Sequence, residues 1–222
     1  MIRAIIFDFD GTIFDTETPR FQSWCEIYED HGCTLTASAW SAGIGYGADQ
    51  DRFDPYRHLA EQVGRPINRD EISTRRRARY SELVQTQAAL PGIESYVRDA
   101  WSSGLKLGIA SSAPRDWVER HLHHLGMLST FDCIRCLGDV ARSKPYPDLY
   151  LAVLDALAVV PGEAIAIEDS PIGALAARRA GIFCIVVPSA MTSDLPFDNP
   201  DRRLASLADV ALQTLLAQIG PG

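Results

Sequence analysis

Four short and almost uninterrupted apolar segments are the strongest constraint on how this chain folds. They cover residues 4–7, 105–110, 164–167 and 183–187. Apolar runs this short and continuous are typical of strands that are covered on both faces, as in parallel sheets. Their alternation with helical stretches predicts an α/β fold, a doubly wound parallel sheet with helices on its two faces.

Two of the intervening helices have recognisable ends. Pro114 and Pro171 each fit the first helical position, where the missing N–H breaks no hydrogen bond. Gly126 and Gly181 fit the position just past the last turn, where glycine is favoured. These signals predict one helix after the second apolar segment and another after the third.

Residues 16–90 interrupt the alternation. This stretch is polar, contains no convincing strand, and carries aromatic and aliphatic residues at helical spacing. We therefore predict a helical cap domain over residues 16–90, inserted into an α/β core of residues 1–15 and 91–222. Turn-forming sequence lies at both junctions, so Pro19 and Pro91 are predicted to flank a hinge.

Composition excludes several functional classes. The net charge of −8 disfavours binding to nucleic acids or to anionic membranes, and no stretch is long enough to span a membrane. The chain has 5 cysteines, an odd and scattered set that does not indicate a disulfide framework. We predict a cytoplasmic protein, a monomer with a weak dimer as the alternative.

Two carboxylates follow the first predicted strand. Asp8 and Asp10 are separated by one residue, and Gly11 behind them permits a sharp turn of the backbone. Two acids this close are expected to have different protonation states. One of them can act as a nucleophile and metal ligand while the other transfers protons. An ordinary turn after a strand is the alternative.

Candidate anion-binding groups occur in two further segments. Ser111 and Ser112 follow the second predicted strand and are expected to open a helix, whose free N–H groups suit a phosphate. Lys144 lies before a helix in a loop stiffened by Pro145 and Pro147, and its ammonium suits a transferring phosphoryl group. Taken alone, helix capping explains the serines and solvation explains the lysine.

A second pair of acids, Glu168 and Asp169, follows the third predicted strand. Mg²⁺ commonly takes one or two carboxylates, which Asp8 and Asp169 would supply. Asp8, Ser111 and Asp169 each lie at the carboxyl end of a predicted parallel strand, which is where open α/β sheets bind ligands. The sequence thus predicts that a nucleophile, a proton carrier, a cation and metal ligands meet in one crevice.

These residues resemble four ordered motifs of the haloacid dehalogenase-like superfamily, in its branch of β-phosphoglucomutase and related sugar-phosphate phosphatases. The resemblance covers the whole chain, including a helical insertion after the first motif. The matching residues are Asp8, Phe9, Asp10, Gly11 and Thr12 with Asp15, then Ser111, Lys144, and Glu168 with Asp169.

The resemblance implies a role for each residue and a Mg²⁺ cofactor. Asp8 would be the nucleophile, and Asp10 would be the general acid and then the general base. The implied magnesium ligands are Asp8, the carbonyl of Asp10, and Asp169, with Glu168 close by. The implied phosphate-binding residues are Ser111, Ser112 and Lys144, with Thr12 supporting the loop, and Lys144 also assists catalysis.

The predicted function is a Mg²⁺-dependent phosphatase for a small phosphorylated metabolite, such as a sugar phosphate. A phosphomutase is the first alternative, although residues 42–47, where such enzymes carry a base, contain none. A dehalogenase is disfavoured because the resemblance gives that class no counterpart of Asp10. A non-catalytic binding protein is the remaining alternative.

Two other clusters are given structural roles. The basic run of residues 75–79 predicts a solvated helix face, although Arg75 and Arg79 share one side that could face the crevice. Cys133 and Cys136 are expected on a strand with their side chains on opposite faces, which excludes a shared metal. No role is assigned to the histidines of residues 121–124.

Overall fold

One six-stranded parallel sheet organises the fold of this chain, whose computed structural model describes residues 1–41 and 53–219. The strands are β1 (Ala4–Phe7), β2 (Lys106–Pro114), β3 (Cys133–Leu137), β4 (Ala164–Glu168), β5 (Phe183–Val186) and β6 (Arg202–Arg203). Their spatial order is β3-β2-β1-β4-β5-β6, so β1 is central and the chain winds outward from it in both directions. The predicted doubly wound sheet is therefore confirmed.

Helices cover the sheet and also form a separate layer beyond it. The helices of the separate layer follow β1 in the chain and are α1 (Glu17–Asp30), α2 (Ala37–Ser41), α3 (Pro55–Val63) and α4 (Arg69–Gln85). Those that accompany the sheet are α5 (Ile93–Ser102), α6 (Arg115–His124), α7 (Asp148–Leu157), α8 (Pro171–Arg179) and α9 (Leu212–Ile219). No helix within residues 1–41 or 53–219 combines the length and hydrophobicity that a membrane span requires.

Both faces of strand β1 are buried, which explains why its sequence is continuously apolar. Ile5 and Phe7 belong to the hydrophobic cluster on one side of the sheet, which α5, α6 and α9 cover. Ala4 and Ile6 belong to the cluster on the other side, under α7 and α8. All four side chains are fully buried, as expected for a central parallel strand between two helical layers.

Helices α1 to α4 have a hydrophobic cluster of their own. Trp24, Tyr28, Leu59 and Ile72 are among its buried members, so these helices do not depend on the sheet for a core. The end of α4 departs from this pattern, because Val84 packs in the cluster of the sheet. The exact limits of the cap, residues 16–90, stay a prediction.

The two connections to the helical layer lie side by side. Phe14 forms an isolated antiparallel β-bridge with Ala89, and the N–H of Leu90 donates to the carbonyl of Ile13 over 2.9 Å. The segment between them therefore leaves the core and returns to it at one point, as the predicted hinge requires.

Strand β2 is longer than predicted, and this corrects one expectation. The predicted strand ended at residue 110 and placed Ser111 and Ser112 at the start of a helix. Both serines instead lie inside β2, because Pro114 pairs again with β3 after a shift in register that begins at Ala110. Helix α6 starts only at Arg115.

The prediction that Pro114 is the first helical residue was wrong, because Pro114 is the extended last residue of β2 and precedes α6. The other predicted helix ends are confirmed. Pro171 is the first residue of α8, and the side chain of Ser170 accepts a hydrogen bond from the N–H of Gly173. Gly126 and Gly181, which follow α6 and α8, have φ angles of +68° and +77° that favour glycine.

Candidate active site

The turn after β1 brings two carboxylates to the same edge of the sheet. The N–H of Asp8 donates to the carbonyl of Ile167, which extends the pairing of β1 with β4 by one residue. Gly11 has a φ of +86°, and a Cβ there would overlap the carboxylate of Asp169. Glycine at this position therefore allows the turn and also allows the two acidic segments to meet.

An acidic cluster lies at this edge with one ammonium group inside it. Carboxylate oxygens of Asp8, Glu168 and Asp169 lie within 4.8 Å of one another, and all three residues are buried. Nζ of Lys144 lies 2.5 Å from Oδ1 of Asp8 and 2.6 Å from Oε1 of Glu168. The lysine side chain is only 3% exposed, so it acts as the internal counter-ion of the acids.

Burial shifts the pKa values of the charged groups in this cluster. Burial raises the pKa of Asp8 to about 7, although the charge of Lys144 opposes the rise. Burial and the charges of Asp8 and Glu168 raise the pKa of Asp169 well above its ordinary value. Burial alone would lower the pKa of Lys144, but its two carboxylate partners outweigh that effect and raise it. The site favours an additional positive charge.

The donors present fit a divalent cation of the magnesium type. Such ions prefer carboxylate oxygens, and the three acids outnumber their single ammonium partner. Glu168 has further donors, since Oη of Tyr150 lies 2.7 Å from its Oε1 and Oγ of Ser170 lies 3.3 Å from its Oε2. The assignment of Asp8 and Asp169 as ligands of such an ion stays a prediction.

Asp10 faces a different partner. The carboxylate of Asp10 is not among the clustered acids, and its Oδ1 accepts a hydrogen bond of 3.0 Å from Nε1 of Trp117 on α6. Burial raises the pKa of Asp10, and the Trp117 hydrogen bond is the main opposing influence. The implied contact of its backbone carbonyl with a metal stays a prediction. The two acids of the turn therefore occupy different environments.

The proposed phosphate-binding residues are only partly brought to the crevice. Ser112 lines it, and its Oγ accepts a hydrogen bond of 2.7 Å from Ser143, next to Lys144. Ser111 is fully buried and its Oγ accepts from the N–H of Ala113. Thr12 is also buried, and its hydroxyl has no hydrogen-bond partner among the described residues.

A crevice of about 910 Å³ opens between the acidic edge of the sheet and the helical layer. Asp8, Asp10 and Lys144 line it on the side of the core, and Arg20 and Arg76 line it on the side of the cap. Its volume is in the range of sites for small molecules. A small ligand would therefore contact both layers.

The arginines in the basic run of α4 lie in two different environments. Arg75 pairs with Asp30, and Arg79 pairs with Glu26 over 2.8 Å, so the expectation of a surface role holds for these two. The expectation was wrong for Arg76, which lines the crevice. The two cysteines of β3 are confirmed as free, buried residues on opposite faces of the sheet.

Sequence reasoning missed Trp117, Arg20 and Arg76. Trp117 stacks on Tyr80 of α4, with ring centres 6.1 Å apart and planes 9° apart, and so joins cap to core beside Asp10. These residues lie on helices without a motif, so only the packing of the two layers identifies them. Residues 42–47, where the absence of a base was noted, lie outside the described residues.

The fold and the site together define a hydrolase class in which a carboxylate at the central strand of a doubly wound sheet lies under a helical cap. A sequence model of haloacid dehalogenase-like hydrolases matches residues 5–187. This chain belongs to that family, and the predicted family and the predicted enzyme class, a hydrolase, are confirmed.

Relatives match nearly the full length of the chain. Protein YhcW of Bacillus subtilis (strain 168) is 43% identical over 97% of both chains. Validoxylamine A 7'-phosphate phosphatase of Streptomyces hygroscopicus subsp. limoneus is 34% identical over 83% of this chain and 85% of its own. The structure of CbbY from Rhodobacter sphaeroides in complex with phosphate is 29% identical, covers 97% of this chain and 99% of its own, and has a TM-score of 0.72.

Proposed function

We propose that this protein is a Mg²⁺-dependent phosphatase that hydrolyses a small phosphorylated metabolite through an aspartyl-phosphate on Asp8. The observation that carries the proposal is the position of the Asp8 carboxylate. It lies at the end of the central strand, at the floor of the crevice, and in contact with the ammonium of Lys144. A carboxylate in that position can attack phosphorus while a fixed cation neutralises the phosphoryl oxygens.

Asp8 and Asp10, the two acids of the turn, would have different roles in the reaction. An oxygen of Asp8 would form a bond to phosphorus as the bond to the leaving oxygen breaks, and Asp10 would donate its proton to that oxygen. Asp10 would then accept a proton from the water that cleaves the aspartyl-phosphate, which regenerates both acids. The raised pKa of Asp10 suits a group that must be protonated in the first step.

Mg²⁺, when bound by Asp8 and Asp169, would supply further positive charge to the phosphoryl oxygens. Lys144 would also contact the phosphoryl oxygens and keep Asp8 oriented. Ser112 would add a hydroxyl donor from the wall of the crevice. The buried Ser111 and Thr12 would support the end of β2 and the turn after β1 from behind.

The relatives support a phosphate ester as substrate. One of them is named for the removal of a 7'-phosphate, and the CbbY structure contains phosphate. The crevice has room for a metabolite of sugar size. We further propose a cytoplasmic, monomeric enzyme, and gel filtration at micromolar concentration tests the monomer.

The test is the release of inorganic phosphate from a panel of phosphorylated sugars and polyols, with Mg²⁺ and with chelator. We expect release that needs Mg²⁺ and that falls at least about 10³-fold in Asp8→Asn, because the substitution removes the carboxylate that is proposed to attack phosphorus. Asp116→Asn is the matched control, since this acid also lines the crevice but is exposed on α6. Turnover retained by Asp8→Asn would refute the proposal.

The same reactions distinguish the alternatives. A phosphomutase would convert one sugar phosphate isomer into another without net release of phosphate, which chromatography of the reaction mixture detects. A non-catalytic binding protein would give neither product.

A further inference from the structure

Trp117 on α6 lines the crevice and contacts one of the two acids of the turn. Its Nε1–H donates to Oδ1 of Asp10 over 3.0 Å, although the two residues are 107 positions apart in the chain. The indole is only half-buried, so its N–H could instead donate to water. Its donation to a carboxylate in the same turn as Asp8 indicates a role in the reaction rather than in packing alone.

Neighbouring rings hold the indole in this orientation. The ring of Tyr80, on the cap helix α4, lies nearly parallel to it, with ring centres 6.1 Å apart. The ring of His121 meets it edge to face, with ring centres 4.2 Å apart and planes at 71°. His121 in turn stacks on Phe14, the residue at which the chain leaves the core. The direction of the indole N–H is therefore set by packing that joins α4, α6 and the linker.

The indole restricts where Asp10 can carry a proton. An indole N–H donates and cannot accept a hydrogen bond, so Oδ1 must be the acceptor whether Asp10 is protonated or ionised. The transferable proton is then confined to Oδ2. The hydroxyl of Thr16, a further hydrogen-bonding neighbour of Asp10, imposes no such restriction, because it can donate or accept.

We propose that Trp117 is a positioning residue, which holds the Asp10 side chain so that Oδ2 faces the leaving oxygen of the substrate. This inference rests on the proposed phosphatase function and adds a residue on which its proton transfers depend. In the first step the proton of Oδ2 passes to the leaving oxygen as the bond from that oxygen to phosphorus breaks. In the second step water gives a proton to Oδ2 as the water oxygen bonds to phosphorus and the bond from phosphorus to Asp8 breaks.

The experiment compares two substrates of similar size whose leaving groups differ in their need for a proton. Benzyl phosphate releases an alkoxide that must be protonated, and 4-nitrophenyl phosphate releases an aryl oxide that is stable without a proton. The variants are Trp117→Phe, which keeps an aromatic ring but removes the N–H, and the matched control Trp101→Phe, at an exposed position of α5. Thermal unfolding of each variant establishes that it is folded. The measured quantity is kcat/KM, because it excludes the later hydrolysis of the aspartyl-phosphate.

We expect Trp117→Phe to lower kcat/KM for benzyl phosphate about 10- to 100-fold, which is part of the contribution that general acid catalysis usually makes. For 4-nitrophenyl phosphate the change should stay within about threefold, because proton donation contributes little to that reaction. Trp101→Phe should match the wild type with both substrates. An equal loss for both substrates, or no loss for either, would overturn the proposal.

A double variant tests whether Trp117 acts through Asp10. Asp10→Asn removes the proton donor and should lower kcat/KM for benzyl phosphate more than Trp117→Phe does. Addition of Trp117→Phe to Asp10→Asn should then change kcat/KM by less than about threefold, because the effects of residues that act as a unit are not additive. A full and independent loss in the double variant would show that the indole acts on its own, which contradicts the proposal.

A measurement without substrate separates this proposal from the catalytic one. The chain has 4 tryptophans, so their indole N–H resonances can be resolved by NMR, and Trp117→Phe assigns the resonance of Trp117. In Asp10→Ala this resonance should shift and its N–H should exchange faster with water, while the resonance of the exposed Trp101 stays unchanged. That result would support the contact even if no phosphate ester were hydrolysed. A Trp117 resonance that does not respond would reject the proposal even if the phosphatase activity were established.

Discussion

At the scale of single residues, the burial of Lys144 among three acids has a large energetic consequence. Its ammonium contacts Asp8 and Glu168 directly, with its side chain almost fully buried. Removal of one member of a buried ion pair leaves an uncompensated charge, which costs far more than the pair contributes. The lysine is therefore expected to serve stability and catalysis together.

The substitution Lys144→Met should lower the free energy of unfolding by about 3–5 kcal/mol in chelator at pH 7.5. The control is Arg142→Met, which removes an exposed ion pair with Asp148 and should change stability far less, because water screens such a pair. Urea unfolding measures both values. The Lys144 loss should shrink near pH 4, where protonation relieves the carboxylates, and a loss independent of pH would contradict this explanation.

The pKa of Asp8 makes a second prediction at this scale. Its folded-state value of about 7 lies above the ordinary value of 3.8, so the folded protein binds more protons between these values than the unfolded chain. Without metal, the contribution of Asp8 to stability is therefore lost as pH rises from about 4 to 7. Thermal unfolding in chelator should show a smaller decline with pH in Asp8→Asn than in the wild type.

Two controls accompany this pH series. Asp116→Asn, at an exposed site, should follow the wild type. Addition of Mg²⁺ should raise the unfolding temperature of the wild type more at pH 7.5 than at pH 5, because its ligands must be deprotonated. Equal stabilisation by Mg²⁺ at both pH values would argue against binding at these carboxylates.

At the scale of secondary-structure elements, α8 supports the acidic cluster through one glycine. A Cβ on Gly173 would overlap the carboxylate of Glu168, which Lys144 and Tyr150 hold in place. Gly173→Ala should therefore displace Glu168 and with it Lys144, with a loss of about 1–3 kcal/mol in stability and a marked loss of phosphatase activity.

Gly162→Ala is the matched control for this substitution, because no atom of the described residues lies within 4 Å of the methyl group that it adds. Urea unfolding and phosphate release measure both variants. Full activity in Gly173→Ala would show that the position of Glu168 is not critical.

Elements with an unambiguous local pattern were predictable from sequence. The β1 run and the Ser170–Pro171 start of α8 were located correctly, because each signal is contained within a few residues. The end of β2 was not, because Ser111 and Ser112 stay extended through the pairing of Pro114 with Leu137, a contact between distant residues. Contacts across the crevice, such as Trp117 with Asp10, are of the same non-local kind.

At the scale of the whole molecule, the hydrophobic clusters form two groups, those on the sheet and the one shared by the cap helices. The sheet has one hydrophobic cluster on each face, and α1 to α4 share a third. Their described connections include the β-bridge of Phe14 with Ala89, the stack of Tyr80 on Trp117 and the packing of Val84 in the sheet cluster. We expect the cap to close over bound substrate and exclude water by movement about the paired linkers.

This division predicts that the two parts unfold separately when the cap is weakened. Leu59 is fully buried in the cap cluster, and Leu59→Ala should remove about 2–5 kcal/mol from that cluster alone. Limited proteolysis should then cut within residues 16–90 and leave the core intact. The matched change Ile165→Ala, in the sheet, should expose the core as well. Cleavage of both parts at equal rates in Leu59→Ala would indicate one cooperative unit.

The bridge between Phe14 and Ala89 has a consequence for how such a molecule can vary. The chain leaves the core at Phe14 and returns to it at Ala89, and these two residues are paired with each other. The distance between the exit and the return is therefore independent of the segment between them. A tight turn could replace the intervening segment, or a segment of another length could occupy its place, without stretching β1 or α5. The lining of the crevice can thus change by exchange of a module while the carboxylates at the edge of the sheet keep their positions.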